Sequence, residues 1–246
     1  MADVVSVTGF ILSSMPVGDY DRRVVILSRE LGKIAAFAKG ARCPNSHLIG
    51  VTRPFIFGTF EVYRGRDSYT IQKANVTNYF EELVSDLDGV LYGYYFAELA
   101  EYYGRENLDA ADMINLLYVA FKALVNKSLP NELVRYIYEI RLIAVNGECP
   151  DFFSCAGCGS EKELQLYSYK ENGMYCVECA ASSGDGIVLQ SSTLYTLQYI
   201  ITAPLTKLFN FVVKADVLNE LKKVVNRIEF ITFDKHFKSK EMLDIG

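Results

Sequence analysis

Hydrophobic and polar positions change their period along the 246 residues of this chain. Residues 1–78 run in short stretches rich in β-branched and aromatic side chains, at 5–12, 23–28, 33–39, 55–63 and 69–77. Leu31-Gly32 reads as a turn, and Arg64-Gly65-Arg66-Asp67 as a hairpin-type turn in which Gly supplies positive φ. Five short strands in so few residues predict a small closed barrel, because closure removes exposed edges. An OB-type barrel is the first reading; the pattern also leaves an SH3-like barrel open.

From about residue 81 the repeat becomes three to four residues. Val84, Leu87, Leu91, Tyr95, Leu99 and Tyr102 fall on one helical face. Asp109 is placed to cap a second helix with the face Met113, Leu117, Ala120 and Leu124. Asn131, after Pro130, is placed to cap a third carrying Leu133, Ile137, Ile140 and Ala144, with Gly147 and Pro150 ending it. A helix over 193–203 stops at Pro204, and a longer one starts at the cap Asp216 and shows Val217, Leu221, Val224, Ile228 and Ile231. The expected fold class is α+β and multidomain: an OB-fold barrel over 1–78, a helical domain from 79–148 and 187–246, and a cysteine-bearing insert at 149–186.

Within that insert lies the strongest chemical signal. Cys155-Ala156-Gly157-Cys158 and Cys176-Val177-Glu178-Cys179 are two CxxC pairs with seventeen residues between them, a zinc-site spacing. Two cysteines three apart can turn both sulfurs toward one ion, and the second pair completes a tetrahedron. The stretch 164–169 alternates like a strand, Asn172-Gly173 signals a hairpin turn, and Gly159 suits the tight knuckle of a zinc ribbon. Four thiolates leave no open coordination position, so one structural zinc ion is expected, held by Cys155, Cys158, Cys176 and Cys179. The alternatives are a redox pair, which needs a βαβ setting absent here, and four unliganded thiols or disulfides. Cys43 and Cys149 lack partners at ligand spacing and read as ordinary thiols.

Composition narrows the class. With 50% hydrophobic and 22% charged residues, the chain is globular rather than disordered or collagenous. No apolar run reaches the ~18 residues of a membrane span. Met1 to Gly9 holds an acid and no basic stretch, so no export signal is expected and the thiols should stay reduced. The net charge of −5 speaks against a generic polycation, but it is unevenly spread. Residues 1–78 carry ten Lys and Arg against six acids, residues 79–148 five against twelve, residues 149–186 two against six, and the tail eight against six. A basic first segment beside an acidic one is what a module facing a polyanion would show.

That segment sets Arg22, Arg23, Lys33, Lys39, Arg42, Arg53, Arg64 and Arg66 among Phe37, Phe55, Phe57, Phe60, Tyr63 and Tyr69. Single-strand binders combine a cationic groove for phosphates with rings on which bases stack. At least half of these rings should fill the barrel, and Gly58 marks a bulge that shifts their register, so the cations are the better DNA-binding candidates. Nothing points to catalysis: there is no HExxH, GxSxG, P-loop or dinucleotide motif, and His47 and His236 stand far apart as surface or capping groups. No catalytic residue is expected. A zinc-ribbon adaptor without direct DNA binding is the alternative from another class, and a zinc-assisted nuclease the second.

The run Asp19-Tyr20-Asp21-Arg22-Arg23-Val24-Val25-Ile26-Leu27-Ser28, then Glu30-Leu31-Gly32-Lys33-Ile34, Ala38-Lys39-Gly40-Ala41-Arg42 and Ser46, resembles the N-terminal signature of the bacterial RecO family of DNA repair proteins. Phe96-Ala97-Glu98-Leu99, Tyr138-Glu139-Ile140-Arg141-Leu142, Gly147 with Pro150, the two CxxC pairs and His236-Phe237-Lys238-Ser239-Lys240 follow in order, so the resemblance covers essentially the whole chain. It implies a non-enzymatic recombination mediator with an N-terminal OB-fold, a helical domain and a zinc module. Such a protein binds and anneals single-stranded DNA and contacts the C-terminal tail of single-stranded DNA-binding protein. With RecR, it loads RecA. The family's Lys-Gly-x-Arg element maps onto Lys39 and Arg42, as phosphate contacts. A cytoplasmic, nucleoid-associated protein with no membrane contact is implied. The acidity of 79–148 adds the expectation that tight DNA binding needs RecR.

Overall fold

The computed structural model of the chain describes residues 4–66, 68–181 and 184–245; Asp67 of the expected 64–67 turn lies outside them. The first strand, β1 (Val4–Val17), is followed by β2 (Asp21–Ser28), β3 (Gly32–Ala38), β4 (Phe57–Arg64) and β5 (Tyr69–Asn78). They close into a barrel in the order β1-β2-β3-β5-β4, with β3 parallel to β5 and every other pair antiparallel, which is the connectivity of an OB-type barrel.

Closure depends on β1 serving two neighbours. Its first half pairs with β4 from Val4↔Tyr63 to Phe10↔Phe57, and its second half with β2 down to Val17↔Asp21. Gly9 stands opposite both Ser28 and Gly58 where the halves overlap, and a Cβ there would come within 1.9 Å of the Leu27 carbonyl oxygen. The strand runs five residues past the expected end at Leu12, because its last part is a hairpin arm with exposed tip residues and no apolar alternation. Val7, Ile11, Val24, Ile26, Ile34, Ala36, Phe60, Val62 and Ile71 fill the interior. The outward Phe10 and Phe57 pack with Phe80, Tyr118 and Phe121. Gly58 carries the expected bulge, the pairing stepping from Phe57↔Asn78 to Gly58↔Val76.

Helices α1 (Glu81–Ser85), α2 (Gly89–Tyr103) and α3 (Ala111–Asn126) follow. The single helical face expected from Val84 to Tyr102 is interrupted: Asp86 is extended at ψ 110°, and Leu87 is 87% exposed. Helix α2 instead buries Gly93, Tyr95, Phe96, Leu99 and Ala100. The N-cap of α3 is Ala110 rather than the expected Asp109, which stands one residue earlier and accepts the Ala111 N–H at its Oδ1, at 2.8 Å.

The chain divides into two compact units, 1–127 with 237–246, and 128–236. The second begins with α4 (Asn131–Val145), buried on nearly every side. At its end Gly147, with φ 78°, lets its own N–H and that of Glu148 reach the carbonyls of Ala144 and Ile143. A three-stranded sheet, ordered β7-β6-β8, follows from β6 (Leu164–Ser168), β7 (Gly173–Cys176) and β8 (Gly186–Val188), with α5 (Val177–Ala180) between the last two strands. Then come α6 (Ser191–Thr202), α7 (Leu205–Leu208) and α8 (Ala215–Thr232), with α6 and α8 packed on α4. The last helix, α9 (Lys238–Ile245), belongs to the first unit and packs on α2. The stretches expected as one helical domain thus contribute α1–α3 and α9 to one unit, and α4 and α6–α8 to the other. Among the described residues no helix is long and apolar enough to cross a membrane.

Candidate nucleic-acid interface and metal centre

The strand register decides which cations meet. Arg22↔Ala38 in the β2–β3 pair and Phe37↔Thr70 in the β3–β5 pair bring the β1–β2 turn, residues 39–42 and the start of β5 to one end of the barrel. There the two halves of the N-terminal signature hold each other. Asp21 Oδ1 accepts the Gly40 N–H at 2.7 Å, and the Arg42 N–H donates to the Tyr20 carbonyl at 2.8 Å. Gly40 has φ 65°, which explains a glycine between Lys39 and Arg42. The Arg42 guanidinium donates to the Gly18 carbonyl at 3.0 Å. That of Arg22 donates to the Ile49 carbonyl at 3.2 Å and to Thr52 Oγ1 at 3.1 Å.

Arg22, Arg42 and Arg53 line one cleft of about 390 Å³, walled by Leu12, Pro16, Pro54 and Tyr94 and edged by Ser13 and Ser14. Burial, then the guanidiniums of Arg53 and Arg42, lower the pKa of Arg22, so the three charges repel one another across the cleft. An anion placed among them relieves that repulsion.

The other sequence candidates are distributed around this centre. Lys39 is exposed in the turn that carries Arg42. Arg23, half-buried on the outer face of β2, stands directly opposite Phe37. Arg64 and Arg66 are exposed at the β4–β5 turn. Lys33 lies at the opposite end of the β2–β3 pair, where its ammonium donates to the Glu101 carbonyl at 2.7 Å, in the last turn of α2. Of the rings, Phe55, Phe60 and Tyr69 are buried and Phe57 packs on Phe10 and Tyr118; Phe37 and Tyr63 are half-buried. The exposed ring at the cleft is Tyr94, which the sequence reading missed. Its signal was an aromatic side chain set off the apolar face of α2.

The four cysteines of the CxxC pairs converge as their spacing predicts, with all their sulfurs within 4.8 Å of one another. Cys158 Sγ and Cys176 Sγ are 3.8 Å apart. Metal–sulfur bonds of ~2.3 Å in a tetrahedron require an edge of roughly 3.8 Å. Knuckle geometry comes from Gly159 at φ 75°, whose N–H donates to the Cys155 carbonyl at 2.8 Å. Gly157 matters as much, since a Cβ there would press on the Cys179 side chain at 3.2 Å. The expected Asn172-Gly173 turn is present, but Asn172 takes the positive φ and Gly173 opens β7.

The donor set fits a cation. Burial pushes the Cys155 thiol up, yet N–H groups of Cys176, Cys158 and Gly157 outweigh it and bring it to about 6. Hydrogen bonds to Cys158 and Cys176 push Cys179 up to about 12. The thiols therefore cannot all ionise together unless a cation holds them. Cys149 lies outside this cluster; burial, then Asp151, push its thiol up to about 12.

Comparison with known proteins places this architecture. The family model for the N-terminal part of recombination protein O matches residues 1–80, and that for its C-terminal part matches residues 84–241. The DNA repair protein RecO of Acetivibrio thermocellus is 30% identical over 241 residues, 96% of this chain and 94% of that relative. Its counterpart in Bacillus subtilis is 27% identical over 236 residues, 96% of this chain and 92% of that relative. A barrel, a helical body and a four-cysteine ribbon, matched end to end in this way, make the chain a member of the RecO family of DNA repair proteins.

Proposed function

We propose that the chain grips single-stranded DNA at the cationic end of its barrel, anneals complementary strands and, with RecR, helps load RecA onto DNA coated by single-stranded DNA-binding protein. The observation that carries this reading is the convergence of Arg22, Arg42 and Arg53 on a cleft whose described lining holds no carboxylate. Phosphates neutralised there release counterions, and two strands screened on one cationic surface approach without mutual repulsion. No covalent bond is made or broken. Arg23, Lys39, Arg64 and Arg66 extend the contact along the strand; Lys33 serves the end of α2. The metal is read as zinc, a closed tetrahedral staple that shapes the ribbon and leaves no position for substrate. The acidic 79–148 segment keeps affinity modest in the isolated chain, so tight binding requires RecR.

Charge reversal tests the reading. Arg42→Glu with Arg53→Glu should weaken oligonucleotide binding and reduce the salt slope by about 1.4, since each phosphate contact on a single strand contributes about 0.7. Annealing of complementary strands coated by single-stranded DNA-binding protein should fall in parallel, with and without RecR. A salt slope equal to that of the wild type refutes the assignment.

A further inference from the structure

The same cleft has a second character that charge does not explain. Three guanidiniums face it, but Tyr94, Pro54 and Pro16 make an apolar, partly aromatic wall. Tyr94 projects from α2, its ring centroid 4.9 Å from that of Phe55, and it remains 45% exposed. Phe55 itself is 1% exposed and meets Phe121 edge-on at 5.3 Å, so Tyr94 rests on a rigid aromatic base. Its setting is held from behind while much of its surface stays open.

A pure phosphate site has no use for such a wall, and a pure apolar pocket would not gather three like charges. One nucleotide of a strand has both characters, an anionic phosphate and a flat, weakly polar base. The volume of about 390 Å³ accommodates one such unit. We infer that Tyr94 stacks an unpaired base while Arg22, Arg42 and Arg53 hold the adjoining phosphates, so that Tyr94 sets the preference for single strands over duplex. The inference rests on the DNA-binding reading of the barrel and adds the group that discriminates between the two forms. Phosphates of a duplex can reach the arginines, but its bases already stack on one another and present no free face.

The test uses the full chain at low salt, with a dT oligonucleotide, a duplex of equal length and an abasic strand. Tyr94→Ala should weaken dT binding about 5- to 150-fold, the range for loss of one stacked base. Duplex and abasic strand should bind as before. Arg53→Ala should weaken all three. The chain contains no tryptophan, so Tyr94→Trp creates a single reporter; its emission should be quenched by dT and not by the abasic strand. Equal losses for dT and duplex in Tyr94→Ala, or a reporter insensitive to dT that binds normally, overturn the inference and leave the DNA-binding reading standing. Failure of the wild type to bind any of the three overturns both.

Discussion

At the scale of single residues, the most consequential group outside the cleft is Glu139, which is fully buried on α4. Arg135 Nε donates to its Oε1 at 2.7 Å, and the Arg135 guanidinium lies 3.6 Å from Glu229 Oε1 on α8. Two carboxylates thus share one guanidinium out of water. Burial, then Glu229, raise the pKa of Glu139 well above its ordinary value, against the pull of Arg135. A proton on Glu139 lets it donate toward Glu229 and makes the trio neutral. The unfolded chain gives that proton up near the ordinary value of about 4.3. Between that pH and the raised folded value the native state binds more protons, so stability falls as pH rises, by up to about 1.4 kcal/mol per unit. Glu139→Gln keeps the donor and acceptor pattern and removes the titration. Denaturant melts should show the variant gaining stability on the wild type as pH rises above about 4.3. Glu139→Ala should instead cost about 1–3 kcal/mol, because it takes away the acceptor of the Arg135 Nε–H in a buried site while the charge-balanced Arg135–Glu229 pair remains. Equal pH slopes for wild type and Glu139→Gln would refute the shared proton. The stretch 138–142 was visible in the sequence, yet its reason was not, since Glu229 arrives from ninety residues away.

Among the elements, those whose partners are local were the most legible. The four-cysteine cluster follows from spacing because two adjacent knuckles complete it. Strands β2–β5 follow from β-rich runs between turn signals, with β3 and β4 alternating against the barrel interior while β2 is buried on both faces over Val24–Ser28. Elements set by distant packing were not. The helix expected across 84–102 breaks at Asp86, strand β8 is too short to show a period, and Ile231, placed on the inner face of α8 by its spacing, is 43% exposed while Glu229 is buried. The ribbon's own sheet is small: β6, β7 and β8 have five, four and three residues, and two- or three-stranded sheets of this length are marginal alone. The metal should therefore hold it. Freshly prepared protein should contain about one zinc per chain, and Cys176→Ser or strong chelation should remove it. Amide protection should then be lost across residues 155–180, while the barrel strands keep theirs. Protein that contains no metal yet protects the ribbon amides would contradict this.

At the scale of the whole molecule the chain leaves its first unit after Lys127 and re-enters it at Phe237. Re-entry is anchored by chemistry that no local pattern announced. Phe237 is 4% exposed and meets Tyr95 and Tyr102 edge-on, with centroids 6.1 and 5.5 Å away. The Ser239 N–H and hydroxyl both donate to Glu98 Oε2, at 3.1 and 2.5 Å. Two stretches that resemble the RecO family separately, 96–99 and 236–240, are therefore one structural feature of α2 and the segment leading into α9. Since α2 also packs on the barrel through β1 and β2, the end of the chain stabilises the element that carries Tyr94. Phe237→Ala should cost about 3–4 kcal/mol through the cavity it leaves, and Glu98→Gln about 1 kcal/mol through a weaker acceptor. Hydrogen exchange should place the loss in α2 and the barrel strands and leave α4 and α8 protected as before. A chain ending at residue 236 should show the same redistribution and bind dT more weakly, because α2 no longer holds Tyr94 against Phe55. Unchanged protection of α2 in that shortened chain would mean that the barrel and its first helices are stable without the returning segment.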